Sequence, residues 1–408
     1  MKYQVGLSMI VKDEHHVIER LLKSVADHIN YWVIVDTGST DGTQEIVKNF
    51  FKERNIPGEL IQTEWVDFST CRNIALEAVE KTCEWGFWID ADEEFIAPEN
   101  FSLEIATTNG ITQKLDTISV PTKYGPIDYT RKSIWRCGRG FKWSGPIHEI
   151  LMAPDEQPGG ILESAHVLVR SEGSSWQNVK EKYTKHAEIL AAYTEVDKDS
   201  RWVFYTAQSY RDAGNHEKAF EWYGKRAAMR EGFLEEIFVS KFMQAKLAEI
   251  MQRPKNDILE LYNDAHKEDP LRGECIKSLV QYLHRCQDWE LAYIYSQYGL
   301  RYNLKNPYPH RILFVDKELY QYQMMELHAL SCYYTRRVEE GSKAYWQTRS
   351  QLPPEGLSPQ QMQIIIENEK YFLPLNVLQA SEASKHVPQH TPPARGKNYM
   401  PPKKKKRK

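Results

Sequence analysis

Short apolar runs alternate with segments of helical spacing over residues 5–89, and this alternation limits the fold more than any other feature of the sequence. Each run is short enough for a strand and predicts one that is buried. Strands that alternate with helices form a mostly parallel sheet covered by helices on both faces, and ligands bind beyond the carboxyl ends of such strands. The sequence therefore predicts an α/β domain. The predicted strands are Val5–Val11, Trp32–Val35, Leu60–Ile61 and Trp85–Ile89.

Acidic residues follow two of these predicted strands. Asp36 ends the second run, and the fourth run leads into Asp90, Asp92, Glu93 and Glu94. Carboxylates this close together repel one another unless a cation or hydrogen-bond donors balance them. Divalent cations such as Mg²⁺ and Mn²⁺ bind one or two carboxylates and complete their shell with water and substrate phosphate. The stretch predicts a metal site, with a solvated acidic loop as the alternative interpretation.

The pattern changes after Pro98. Shorter strands are predicted at Thr117–Val120, Ser133–Arg136 and Ile161–Val169, and Gly- and Pro-bearing loops connect them. This section would form the acceptor side of a cleft. From Asn178 onward the spacing is helical almost to Met362.

One stretch of the helical region has the small-and-large spacing of a tetratricopeptide helix pair, in which small residues of one helix pack against aromatic residues of the next. Weaker similarities surround Ala292 and Ala344. Such repeats form a concave surface that could bind a peptide. The residues with this spacing are Val203, Ala207, Tyr210, Gly214, Ala219 and Tyr223.

Charge and cysteine content limit the partners and the compartment. The formal net charge is −3, although every residue of Lys403–Lys408 is basic, so the rest of the chain is more acidic still. An acidic body argues against a protein that coats nucleic acid. The cysteines include no CxxC pair, and no apolar stretch is long enough for a signal peptide or a transmembrane segment. We therefore expect a soluble, unexported, cytoplasmic protein.

Four sequence motifs resemble those of family 2 glycosyltransferases, which share the nucleotide-sugar-binding A-type fold. They follow one another in the order typical of that family, and the similarity covers residues 3–170. The helical continuation looks like the subgroup in which tetratricopeptide-like helices follow the catalytic domain. The motifs are Leu7–Glu14, Val35–Thr43, Cys71–Leu76 and Asp90–Glu94.

The resemblance implies an architecture and an activity. It implies an α/β A-type catalytic domain over residues 1–172, an all-α tetratricopeptide-like domain over 173–378, and a disordered basic tail over 379–408. The implied activity is the metal-dependent, inverting transfer of a hexose from a nucleoside-diphosphate sugar, with a UDP-sugar favoured, to a hydroxyl group of a glycan or protein. The implied cofactor is Mn²⁺ or Mg²⁺.

The resemblance also assigns roles on the donor side. The backbone around Ser8 and Met9, together with Asp36, would bind the nucleobase and ribose, and Arg72 would contact the nucleotide. The alternative interpretation makes Asp36 the cap of a turn and Arg72 a member of a surface ion pair.

A second set of residues is predicted to perform the chemistry. Asp90 would face the ribose and the metal-bound water, and Asp92 would bind the metal on the diphosphate. The acceptor must lose a proton as it attacks, and Glu149 is the candidate general base. His148, the preceding residue, is a further candidate metal or phosphate ligand, or alternatively a structural histidine. Many family members carry Glu-Asp instead of His-Glu here, which leaves other carboxylates open as the base.

Two other interpretations use the same sequence. The chain could be an inactive glycosyltransferase-like scaffold that binds partners through its helical repeats. The basic tail prompts a more distant alternative, in which the acceptor is a modified DNA base.

Overall fold

The computed structural model describes residues 3–124, 127–155, 157, 159–170, 172–173, 178–302, 311, 313–316, 318–351, 363 and 366–372. The predicted basic tail over 379–408 lies outside these residues. The described chain divides into two compact units, unit 1 (Met1–Ala219) and unit 2 (Phe220–Lys408). The domain boundary predicted at residue 172 stays a prediction.

Unit 1 contains the predicted alternation of strands and helices. Its strands are β1 (Tyr3–Val11), β2 (Tyr31–Asp36), β3 (Gly58–Gln62), β4 (Cys83–Trp88), β5 (Glu93–Ile96), β6 (Thr117–Tyr124), β7 (Ile127–Arg136), β8 (Lys142–Ser144), β9 (Ile150–Met152), β10 (Gly160–Ile161) and β11 (His166–Val169). Its helices are α1 (Ile18–Val25), α2 (Thr43–Arg54), α3 (Phe68–Thr82), α4 (Leu103–Thr112), α5 (Val179–Tyr193) and α6 (Ser200–Asp212). A 3-10 turn at Ala26–His28 follows α1, and α7 (His216–Ala228) crosses the boundary between the units.

The main sheet has the strand order β3-β2-β1-β4-β7-β6-β11-β5, and β10 pairs with β6. β3, β2, β1 and β4 are parallel, whereas β7 runs antiparallel to both β4 and β6. β8 and β9 form a separate antiparallel ribbon. The predicted α/β fold with a mostly parallel sheet is confirmed.

Side chains of β2 show how both faces of the sheet are covered. Trp32 and Ile34 point into an apolar cluster that includes residues of α1 and α2. Val33 and Val35 point the other way, into a second cluster that includes residues of α3. Successive residues of a strand face opposite sides, so a strand buried on both faces is apolar throughout. This is why the run was recognisable in the sequence.

One strand prediction was wrong in its extent. Ile161–Val169 is not a single strand but two, β10 and β11, with a turn between them. Leu162 and Ala165 are buried on either side of the exposed turn residues Glu163 and Ser164. The turn therefore buries its apolar residues without an extended backbone, and the apolar character of the segment suggested a continuous strand.

Unit 2 is helical where the structure describes it, and its helices pack as consecutive pairs, α8 with α9, α10 with α11, and α12 with α13. The predicted tetratricopeptide-like helical region is confirmed. None of the described helices combines the length and hydrophobicity needed to span a membrane. The helices are α8 (Glu235–Ile250), α9 (Lys255–Glu268), α10 (Glu274–Arg285), α11 (Trp289–Gly299), α12 (Met324–Tyr334) and α13 (Val338–Gln351). Shorter helical turns are Leu300–Tyr302, Leu319–Gln323 and Glu369–Tyr371.

Candidate functional site

A cleft of about 320 Å³ opens at the carboxyl edge of the parallel strands in unit 1. β1 lies between β2 and β4, so the acidic residues that follow β2 and β4 reach the same edge of the sheet. This is the convergence that the strand pattern predicted. The cleft is lined by Ile10, Val11, Lys12, Glu14, Thr37, Trp65, Phe68, Arg72, Asp90, Ala91 and Asp92.

Asp36, the last residue of β2, is buried and only half satisfied. Its Oδ1 accepts hydrogen bonds from the backbone N–H groups of Gly38 and Ser39, both at 3.0 Å, and from Nε2 of Gln44 at 2.9 Å. Its Oδ2 has no hydrogen-bond partner among the described residues. Buried polar atoms are nearly always hydrogen-bonded, so this unpaired oxygen is a candidate acceptor. Asp36 itself is buried, and the next residue, Thr37, lines the cleft.

Ser8 and Met9 lie in the interior of β1. Ser8 is paired with Val33 of β2 and Trp88 of β4, and both Ser8 and Met9 are buried. The part of β1 that lines the cleft is Ile10 and Val11, followed by Lys12. The assignment of Ser8 and Met9 to nucleotide binding stays a prediction.

Arg72 of α3 connects two predicted site residues. Its Nη2 donates to Oδ1 of Asp90 at 2.7 Å, and its Nε donates to Oε1 of Glu149 at 2.6 Å. The rings of Trp88 and Trp143 lie 4.7 and 5.2 Å from the guanidinium carbon. Burial disfavours the charged form, but Asp90 and Glu149 outweigh it and raise the pKa of Arg72. Arg72 is therefore a fixed cation at the cleft.

Arg131 of β7 interacts differently with two neighbouring carboxylates, those of Glu93 and Asp90. It donates to both oxygens of the buried Glu93, at 2.8 and 2.6 Å, and lies 3.8 Å from Oδ2 of Asp90. Burial raises the pKa of Asp90, but Arg72 and Arg131 prevail and lower it. Burial is the largest influence on Glu93, whose pKa is raised despite the opposing effect of Arg131.

Asp92 also lines the cleft. Asp90 and Asp92 line the cleft, whereas Glu93 and Glu94 are not among its lining residues. Glu94 is paired with Arg170 at 2.7 Å. A Cβ added at Gly173 would lie 3.1 Å from the carboxylate of Asp92, so a larger residue at 173 would press on it. A divalent cation prefers carboxylate oxygens, and Asp92 with Asp90 beside it fits that preference. Oδ1 of Asp90 accepts from Arg72, and Asp92 lines the cleft beside it.

Lys182 of α5 faces the same carboxylates. Burial lowers its pKa, and the negative charges of Asp92 and Asp90 oppose that decrease. The sequence analysis missed Lys182 because only tertiary packing brings α5 to the strand ends.

His148 packs among rings. It has a positive φ of 56°, its carbonyl oxygen accepts from Nη2 of Arg201 at 3.0 Å, and its ring stacks on Tyr205 with centroids 4.2 Å apart. The ring of His186 lies 6.5 Å away, edge to face. Burial, with the neighbouring His186 and Arg201, lowers the pKa of His148 to about 3. Its assignment as a metal or phosphate ligand stays a prediction.

An aromatic layer extends from His186 to the cleft. The rings of His186 and Phe68 meet edge to face with their centroids 6.3 Å apart, and the rings of Phe68 and Trp65 do so with centroids 4.7 Å apart. Trp65 is 43% exposed, so a flat apolar face is available beside the carboxylates. The sequence analysis missed these residues as well. The local signal was two aromatic residues three positions apart, Trp65 before α3 and Phe68 at its first position.

Residues 8–100 match the family model described as glycosyl transferase family 2. They form a family 2 glycosyltransferase domain. This match confirms the resemblance inferred from the motifs, and Asp36, Arg72, Asp90 and Asp92 lie within the family 2 domain. His148, Glu149 and Lys182 lie beyond the matched residues.

Two sequence relatives are named for different features, one for TPR repeats and the other for glycosyl transfer. A TPR repeat-containing protein of Synechococcus elongatus is 32% identical over 150 residues, covering 36% of this chain and 35% of the relative. The glycosyltransferase SunS of Bacillus subtilis is 25% identical over 228 residues, covering 54% of this chain and 52% of SunS. The chain thus spans about half, or less, of the length of these relatives.

Among solved structures, residues 1–349 of TarS from S. aureus, in complex with UDP-GlcNAc, align with a TM-score of 0.37 and 15% sequence identity. The alignment covers 65% of this chain and 90% of that chain.

Proposed function

We propose that this chain is an inverting glycosyltransferase that transfers a hexose from a nucleoside-diphosphate sugar, with a UDP-sugar as the first candidate, to a hydroxyl group of a glycan or protein. The observation that carries the proposal is the cleft in the family 2 domain, where the end of β2 and the acidic residues after β4 meet. The name of SunS, a glycosyltransferase, supports the same class of reaction.

We assign nucleotide binding to Asp36 and the residues around it. The unpaired Oδ2 of Asp36 would accept a hydrogen bond from an N–H group of the base or an O–H group of the ribose. Trp65 offers an exposed ring against which a flat base or a sugar face can stack. Arg72, held by Asp90 and Glu149, places a permanent positive charge at the cleft.

We propose that Asp92, Asp90 and Lys182 together stabilise the diphosphate leaving group. Asp92, with Asp90, is suited to hold Mn²⁺ or Mg²⁺, which when bound would neutralise the charge that develops on the departing diphosphate. Lys182 faces both carboxylates and would donate a hydrogen bond to a phosphate oxygen. The positive charge of Lys182 also offsets the negative charge of Asp92 when no donor is bound in the cleft.

Glu149 is the proposed general base. The acceptor O–H loses its proton to the carboxylate as its oxygen bonds to the anomeric carbon, and the bond from that carbon to the phosphate oxygen breaks on the opposite side. The sugar carbon is inverted and the nucleoside diphosphate leaves. Since Arg72 engages Oε1 of Glu149, the proton would go to Oε2. His148 and Tyr205 would then contact the acceptor as a stacked apolar pair.

The direct test is release of nucleoside diphosphate from UDP-, GDP- and dTDP-sugars with Mn²⁺ or Mg²⁺, in the presence of glycan, peptide and modified-DNA acceptors. We expect release with one donor class and its suppression by EDTA, with recovery when the ion is restored. If none of the donors is turned over and none raises the melting temperature, the result would instead support the inactive scaffold.

A further inference from the structure

A histidine, a cysteine and a glutamate converge within unit 2. His328 and Cys332 lie one turn apart on α12, and Glu340 lies in the first turn of α13. Their ligand atoms are all within 4.8 Å of one another. We propose that these three side chains bind a Zn²⁺ ion that links α12 to α13, with water as the fourth ligand.

Distances among the ligand atoms suit tetrahedral zinc. Sγ of Cys332 lies 3.5 Å from Nε2 of His328, which in turn lies 3.0 Å from Oε1 of Glu340. Zinc bonds of ordinary length at tetrahedral angles separate nitrogen from sulfur by about 3.5 Å and nitrogen from oxygen by about 3.3 Å. All three ligand atoms lie within 4.8 Å of one another, and Glu340, whose side chain is 42% exposed, is the ligand that would adjust its position around the ion.

Residues of α11 orient two of the ligands. Nδ1 of His328 is hydrogen-bonded to Oγ of Ser296 at 3.0 Å, which leaves Nε2 directed at Cys332 and Glu340. The hydroxyl of Tyr293 lies 3.2 Å from Oε1 and 3.1 Å from Oε2 of Glu340, so it fixes the carboxylate as a whole. Metal-binding histidines are usually fixed through the ring nitrogen that does not bind the metal, and metal-binding carboxylates are in turn hydrogen-bonded.

Charge balance also favours a divalent ion. His328 and Cys332 are 1% and 0% exposed, and a thiolate and a carboxylate together neutralise Zn²⁺ in this low-dielectric position. A zinc ligand must be the thiolate, so binding would release the thiol proton of Cys332 to solvent. A thiolate among the ligands selects zinc over Mg²⁺ or Mn²⁺.

The test is zinc stoichiometry of the tag-free full chain. The protein is stripped with a chelator and dialysed against Zn²⁺ in excess Mg²⁺, which occupies hard carboxylate sites, and bound zinc is measured by inductively coupled plasma mass spectrometry. We expect about one zinc per chain and a rise in melting temperature on zinc addition. Cobalt substitution should give a thiolate-to-metal charge-transfer band.

Matched variants separate this site from other zinc binding. Cys332→Ser should lose the zinc, the cobalt band and the zinc-dependent rise in melting temperature, whereas Cys286→Ser, at an exposed cysteine of the same unit, should keep all three. Asp92→Asn should keep them too. If Cys332→Ser does not fold by circular dichroism, Glu340→Gln replaces it, because that side chain is partly exposed. A wild-type chain without zinc, or a folded Cys332→Ser or Glu340→Gln variant that retains it, overturns the proposal; a hydrogen-bonded network without metal would then account for the cluster.

Discussion

Two arginines are buried to a similar extent, Arg72 at the cleft and Arg226 in unit 2, with 6% and 0% of their surface exposed, but they use their guanidinium groups differently. Arg226 donates through Nε to Glu236 at 2.8 Å. Its other donors reach backbone carbonyl oxygens within the connection between α7 and α8, those of Met229, Glu231 and Phe233. These partners belong to α8 and to the connection between α7 and α8, which the arginine holds together.

Arg72 has no backbone carbonyl among its hydrogen-bond acceptors in the described residues; it donates to Asp90 and Glu149, and Asp90 lines a cleft. Its partners are thus carboxylates from separate elements, one of them 36% exposed on its side chain. A buried charge that fastens backbone serves stability, whereas one that fixes side-chain carboxylates and lines a cavity is placed to serve a ligand. The comparison therefore predicts that variants at the two sites fail in different ways.

The largest effect should follow from Asp92→Asn. Removing the carboxylate charge would leave the diphosphate without its cation, and turnover should fall roughly 10²–10³-fold, the range for losing one electrostatic stabiliser of a charged transition state. Asp92 is half-buried, so the melting temperature should change little. Initial rates of nucleoside-diphosphate release and a thermal melt of the same preparation measure the two quantities.

Retention of near-wild-type turnover by Asp92→Asn would remove the main distinction between the cleft and unit 2. Glu94→Gln is the matched control, since Glu94 is also acidic, lies two residues away and is paired with Arg170. Its turnover should stay within about twofold of wild type, because the exchange of one partly exposed ion pair is worth little.

Arg226→Ala should show the opposite failure. It would leave Glu236 buried without its cation, which costs about 3–5 kcal/mol of unfolding free energy. Urea unfolding followed by circular dichroism measures this loss. The rate of nucleoside-diphosphate release per folded molecule should stay unchanged. A variant with wild-type unfolding free energy but slow turnover would contradict the framework role assigned to Arg226.

Sequence reasoning could locate Asp36 and Asp90 because their positions follow from strand ends, and strand ends follow from local apolar runs. The apolar runs alone could not distinguish Asp92 from Glu93, and only the family resemblance assigned the metal to Asp92. That difference depends on Arg131, which reaches Glu93 only because β7 lies beside β4 in the sheet. The pairing of distant strands is decided by tertiary structure, and the same reason hides a lysine delivered by α5.

Lys182→Met tests that missed residue and should have a smaller effect. Loss of one phosphate contact should lower kcat/KM by about tenfold, equivalent to about 1.4 kcal/mol. Lys182→Arg should restore part of the activity. Lys185→Met is the control on the same helix, because Lys185 is exposed and pairs with Glu181 at 2.7 Å. Equal rates for the Lys182 and Lys185 variants would exclude a role for Lys182 in the cleft.

The smallest effect concerns acid sensitivity, which one partly buried histidine in each unit can test. Burial lowers the pKa of His186, near the cleft, and of His284, in unit 2, to about 4. The unfolded chain, with a histidine pKa of about 6.5, binds the proton more readily, so stability from each neutral histidine is complete above that pH and is lost as the pH falls toward 4. His186→Gln and His284→Gln should therefore both flatten the decline in melting temperature between pH 7 and 5. Only His186→Gln should also raise the KM for the acceptor, because His186 contacts the ring of His148. If both variants changed KM alike, acceptor binding would not distinguish the two units, and the aromatic layer beside the cleft would be structural.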